Sequence, residues 1–183
     1  ITLRFTVANS NYTTLLTKAD TADSNVQVDL SSTNTTIIEV GSVPATAFSP
    51  YHPGGYSTYF DGTGDYLTTS STYSAVGSSS DFTAEAWIWI HPSIVDTNPF
   101  VFASNNNGLN FGVINQGSGF KVTVGHSYVG DLAIGSITIP TGTWTHIAGV
   151  RNSGILKTYV NGVEDNSVAN TSKAAPATLP DFM

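Results

Sequence analysis

The chain has 183 residues, a length that suits one domain or one domain with an extension. Six Lys and Arg against 13 Asp and Glu leave a net charge of −7, too few cations for a phosphate-binding surface, so nucleic acid is not an expected partner. The lack of cysteine excludes a disulfide framework, a thiolate zinc site and a cysteine nucleophile, and no apolar run reaches the ~18 residues of a spanning helix.

The composition leans toward β structure. Ser, Thr and Asn together supply 60 residues, whereas Glu, Lys and Arg, the usual residues of solvated helix faces, supply only 9. Hydroxyl and amide side chains compete with helical hydrogen bonding, and Thr, Val, Ile and the aromatics fit a pleated surface. The chain starts at Ile1 rather than Met, which points to processing, a fragment or an incomplete record, and no leader segment is visible.

Ile1 to Ala8 alternates, with Ile1, Leu3, Phe5 and Val7 on one side, and predicts a half-buried strand. Asn9 to Ser32 is polar, with short apolar pieces at Leu15-Leu16 and Val26 to Leu30. Thr35 to Val40 predicts a second strand. Pro44, Pro50 and Pro53, followed by Gly54-Gly55, mark residues 41–55 as a connector and place a soft boundary there. Strands are then expected at Tyr56 to Phe60 and Asp65 to Thr69, around the turn Asp61-Gly62-Thr63-Gly64. Phe82 to Ile90 is the strongest strand. Its even positions are all apolar, and its odd positions carry Thr83, Glu85, Trp87 and Trp89. Phe100 to Ala103, Leu109 to Ile114, Phe120 to Gly125 and Ile137 to Ile139 follow. Trp144 to Arg151 and Ile155 to Val160 pair across Asn152-Ser153-Gly154, and Asn161-Gly162 opens a tight hairpin. Short strands at this spacing, without helical periodicity, predict a sandwich or barrel. The stretch from Ala174 onward reads as a linker or tail.

Three segments together resemble the laminin-G-like, concanavalin A-like lectin/glucanase domains. They are Tyr59 to Leu67 (YFDGTGDYL), Asp81 to Ile88 (DFTAEAWI), and Trp144 to Arg151 (WTHIAGVR) running on to Tyr159 to Val163 (YVNGV). The resemblance implies an all-β, antiparallel jelly-roll β-sandwich of two packed sheets. It divides the chain into an N-terminal β-rich extension (1–50), the sandwich (51–170) and a tail or linker (171–183). Family members close with further strands, carrying a Gly-x-Ile-Asp-Asp-like segment, that have no counterpart after Val168. Ile1 to Ala8, or a strand from a neighbouring chain, is expected to fill that place. The lead-in from Phe48 to Phe60 is similar to stretches in structural proteins of marine phages and marine bacteria.

Related sandwiches host glycoside hydrolysis, which needs two carboxylates at close quarters. Along Glu85-Ala86-Trp87-Ile88-Trp89-Ile90, Trp87 and Ile90 stand where further acids would be required, and the whole chain has three Glu. Catalysis is therefore not expected. Sugar binding is, through the aromatic rings of Trp87 and Trp89 beside Glu85, with at least one indole expected in the core. The loops that include Asn105, Asn106 and Asn107, Gln116 to Gly119, and His126 with Tyr128 are further candidates for presenting polar groups to a glycan. The resemblance also implies Ca²⁺ as a possible cofactor. Asp61 and Asp65 are the candidate ligands, and a plain turn-stabilising role is the alternative. The four histidines show no zinc spacing, and His146 is expected to be a satisfied core residue. Matches to the N-glycosylation pattern at Asn11, Asn34 and Asn170 are discounted, because a chain so rich in Asn and Thr produces them by chance.

The resulting expectation is a non-enzymatic adhesive or structural surface module with carbohydrate-binding character. Its setting would be extracellular, in a phage virion or a bacterial surface assembly. Its expected partners are a glycan or cell-surface polysaccharide and neighbouring chains, with no nucleic acid and no membrane insertion. The alternatives are a glycan-degrading enzyme or its carbohydrate-binding accessory domain, and a purely architectural subunit without ligand.

Overall fold

A computed structural model describes residues 15–19, 27–50, 53–73, 81–94, 99–103, 109–126, 131–169 and 179–182. Among the described residues there are strands and turns but no α-helix. The chain divides into two compact units, Ile1–Ser71 and Thr72–Met183. The strand expected at Ile1 to Ala8 lies outside the described residues.

The first unit is built from short antiparallel pairs. β1 (Thr17–Ala19) pairs with β2 (Gln27–Asp29), and β4 (Ala45–Thr46) pairs with β5 (Ser57–Thr58). β3 (Ile37–Val40) pairs with the first half of β6 (Tyr66–Tyr73). The connector read between 41 and 55 thus contributes a strand of its own. β5 and β6 do not form a hairpin across Asp61 to Gly64, because each takes a different partner. Buried Asp29 organises this unit. Its carboxylate accepts the amides of Leu16 at 3.0 Å, Ser31 at 2.8 Å and Thr35 at 2.8 Å, and the Ser31 hydroxyl at 2.9 Å. Burial pushes the Asp29 carboxyl up, but these four donors outweigh it and hold the group below its ordinary range.

The second unit is a two-sheet antiparallel sandwich. One sheet runs β14-β13-β12-β7 and contains β7 (Phe82–Trp89), β12 (Trp144–Asn152), β13 (Ile155–Val160) and β14 (Val163–Ala169). The other runs β11-β10-β9-β8-β15 and contains β8 (Phe100–Ala103), β9 (Asn110–Asn115), β10 (Phe120–His126), β11 (Asp131–Ile134) and β15 (Leu179–Phe182). The core lies between them. Phe111, Val113, Val122 and Val124 from one sheet meet Ile147, Leu156 and Val160 from the other, with Phe82, Ala84, Ala86 and Ile88 of β7 packed against the cluster. Period-2 alternation sends the even residues of β7 inward, as its sequence predicts.

Two hairpins fix the register of the first sheet. Ser153-Gly154 and Asn161-Gly162 each place two residues at positive φ, at 50° and 78° and at 50° and 79°. These are the angles of the type I′ turn, whose twist matches that of the strands it joins. Beyond the second hairpin, a bulge between Thr158 and Tyr159 frees Asp165 from the ladder. Its Oδ1 accepts the Ser136 amide and hydroxyl, both at 2.8 Å, and the Ile137 amide at 2.9 Å. That claims the Ile137 amide at the head of the segment expected as a strand at Ile137 to Ile139, which among the described residues makes an isolated bridge, Phe120 to Ile139, with the Ile139 amide donating to the Phe120 carbonyl. The stretch from Ala174, read as linker or tail, contains β15, which pairs with β8 at Asp181 and Ala103.

Candidate functional site

The sheet β14-β13-β12-β7 turns one face to the core and the other away from it. On the outward face, the registers arrange side chains in rows. Trp89 stands opposite Trp144, and Trp87 opposite His146. Glu85 stands opposite Ala148, then Tyr159, then Glu164. Thr83 is followed by Val150, Lys157 and Ser167. Neighbouring strands lie ~4.8 Å apart and successive rows ~7 Å apart.

Trp87 is 39% exposed. Its ring lies 5.4 Å from that of His146, tilted by 60°. His146 Nε2 is 3.6 Å from Glu85 Oε2, and the two side chains are 23% and 66% exposed. Three groups of different chemistry thus share one patch: an apolar ring, an imidazole and a carboxylate. His146 is held there by its backbone, which donates to Asn161 Oδ1 at 3.0 Å and accepts from the Asn161 amide at 2.8 Å. Further along, Lys157 Nζ bonds Glu164 Oε2 at 2.7 Å, and the Tyr159 hydroxyl lies 3.4 Å from the same oxygen. Each partner stabilises the other's charge, so Glu164 is held below the usual carboxylate range and Lys157 above the usual amine range.

The structure brings together Glu85, Trp87 and Trp89 from the sequence reading and adds His146. Two expectations change. Neither indole belongs to the core, since both occupy odd positions of β7, and the core takes the even ones. His146 is likewise not a core residue, because its strand face points away from the second sheet. Tyr159, Lys157 and Glu164 were not singled out from sequence. Alternation along β13 was the signal for Lys157 and Tyr159, and the place of all three in the rows of Thr83 and Glu85 depends on the strand register.

His126 ends β10, opposite Asp131, in the other sheet of the sandwich. Asn105, Asn106, Asn107 and Tyr128 lie outside the described residues. The Gln116 to Gly119 loop is a tight turn in which the Gln116 amide donates to the Gly119 carbonyl. Asp65 accepts the amides of Ser42 at 2.8 Å and Asp61 at 3.2 Å, and Asp61 accepts that of Thr63. The amide of Ser42, then that of Asp61, holds the Asp65 carboxyl below its ordinary range. A Ca²⁺ ion on these two aspartates would have to compete with those donors. Among the described residues no three His, Asp or Glu side chains converge to hold a metal ion.

The sequence profile described as the Concanavalin A-like lectin/glucanases superfamily matches residues 61–183. No curated protein matches the sequence. Among solved structures, the chain is similar to domain 4 of AbnA, a GH43 extracellular arabinanase from Geobacillus stearothermophilus, in complex with arabinotriose. The identity is 21% and the TM-score 0.59, over 84% of this chain and 75% of that one. At that identity the likeness establishes the fold.

Proposed function

Because the chain belongs to the concanavalin A-like lectin/glucanases superfamily, we propose that it is a non-enzymatic carbohydrate-binding module whose binding platform is the outward face of β7 and β12. The observation that carries this reading is the exposed Trp87 ring bordered by His146 and Glu85. An aromatic face stacks on the apolar face of a sugar, and flanking polar groups hydrogen-bond its hydroxyls. The similar arabinanase domain, in complex with arabinotriose, lends support.

The carboxylates of this face favour binding over hydrolysis. Glu85 and Glu164 lie in one row but three strand spacings apart, about 14 Å between backbones. Glycosidase pairs sit about 5–5.5 Å or 6.5–9.5 Å apart, and Glu164 is tied back by Lys157. The setting we propose is an exposed assembly, a phage virion or a bacterial surface, where the module acts in adhesion alongside neighbouring chains. A surface polar through hydroxyls and amides rather than charge suits that role.

A glycan array followed by calorimetry tests the platform. Trp87→Ala should weaken binding of the best glycan at least about tenfold, ~1.4 kcal/mol, while the variant keeps its β-sheet circular dichroism. An array without hits for the folded protein would remove the reading, and release of reducing ends from a bound glycan would restore the enzyme alternative.

A further inference from the structure

Among the described residues, Glu85 is a charge on this face without a permanent counter-charge. Its ion-pair partner among the described residues is His146, a cation only when protonated. The described cationic side chains of the sandwich are each engaged elsewhere. Lys157 is bonded to Glu164 at 2.7 Å, Arg151 to Asp81 at 3.2 Å, and Lys121 to the Ser136 carbonyl and the Thr138 hydroxyl. The whole chain carries a net charge of −7. A sulfated or uronate glycan approaching Trp87 would therefore meet an exposed carboxylate and, among the described side chains of the sandwich, no lysine or arginine that is not already engaged.

Building on the carbohydrate-binding reading above, we infer that the platform selects glycans bearing protonated amino groups, polymers of free amino sugars. The ring face of an indole attracts a cation through its quadrupole, in addition to stacking on a sugar. Glu85 sits two residues from Trp87 on the same face, ~7 Å away along the strand. One sugar ring can thus lie on Trp87 while its ammonium group, or that of the adjoining sugar, reaches the Glu85 carboxylate in a charge-assisted hydrogen bond. A neutral glycan would gain the stacking and hydrogen bonds from its hydroxyls, without the attraction between opposite charges.

The test compares three sets of oligosaccharides of equal length by calorimetry: glucosamine oligomers, their N-acetylated counterparts and plain glucose oligomers. The glucosamine series should bind about tenfold more tightly than the other two and lose that margin in high salt, which screens exposed charges. Glu85→Gln, which keeps a hydrogen-bonding side chain but removes the charge, should abolish the margin, bringing the glucosamine series down to the affinity of the N-acetylated one. Asp61→Asn, which removes one exposed negative charge from the first unit, should preserve it. Equal affinity for all three series through Trp87 would overturn the amine selectivity and leave the carbohydrate-binding reading intact. Equal losses in Glu85→Gln and Asp61→Asn would reduce the preference to bulk attraction and overturn it as well. No binding of any series, together with a blank array, would overturn both.

Discussion

A Cβ added at Gly149 would meet Val124 Cβ and Cγ2 at 2.6 Å and Phe111 Cδ2 at 3.0 Å. Gly149 lies in β12 where the two sheets close on each other, and its missing side chain is what lets Val124 and Phe111 fill that space. Gly149→Ala should therefore cost about 1–3 kcal/mol through overpacking, read as a lower melting temperature. Asp29 gives a pH signature instead. A carboxyl held below its ordinary value of 3.8 stabilises the fold above that value, and the stabilisation disappears as pH falls through the lower native one. Asp29→Asn should thus be less stable than the parent in urea at neutral pH, and the gap should narrow below about pH 4. At this scale the sequence was partly legible. The odd-position tryptophans of β7 drew attention to the platform, but hydrophobicity alone placed one of them inside. His146 was misread for the same reason, since its strand neighbours Trp144 and Ala148 are apolar, and only the register shows that they share the outward face of the sheet, where Ala148 is covered by its neighbours.

Among the elements, β14 is anchored from the side. Asp165 reaches out of the bulge to the Ser136 and Ile137 amides, and Gly135 leaves its carboxylate room to do so. Asp165→Ala should cost about 1–3 kcal/mol, because it strips the acceptor from these donors. Hydrogen exchange should locate the damage, with protection lost at Ser136 and Ile137 and retained in β9 and β10. Uniform loss of protection would mean that the contact is not local. Strong alternation and two-residue turns made β7, β12 and β13 readable in advance. β11 and β15 were not: Asp131 to Ile134 is short and lacks the run of β-branched and aromatic residues that marks Phe100 to Ala103, and Pro180 inside β15 argues against a strand until β8 is seen beside it.

For the whole molecule, the even spacing of short strands predicted a sandwich or barrel, because either buries alternating apolar faces, and the choice of two packed sheets came from the resemblance to the concanavalin A-like domains. The way its second sheet is filled could not be read, since strand order depends on pairings between distant segments. Removing residues 178–183 takes β15 away from β8. The shortened protein should melt several degrees lower and self-associate at high concentration, as an uncovered strand edge invites pairing. Light scattering beside thermal melts would register both effects, and an unchanged monomer of unchanged melting temperature would count against a structural role for β15.

The β15–β8 pairing also sets an order in time. β12 and β13 meet across a two-residue turn, whereas Asp181 must find Ala103 from 78 positions away (181 − 103). Closing so wide a loop costs more entropy than closing a hairpin, so the hairpins should nucleate the sandwich and β15 should dock late. A contact made after the barrier governs how fast a protein comes apart, not how fast it assembles. The version without β15 should accordingly refold at nearly the parental rate and unfold faster in stopped-flow experiments. β15 would then act as a kinetic clasp, setting the lifetime of the sandwich rather than choosing its fold.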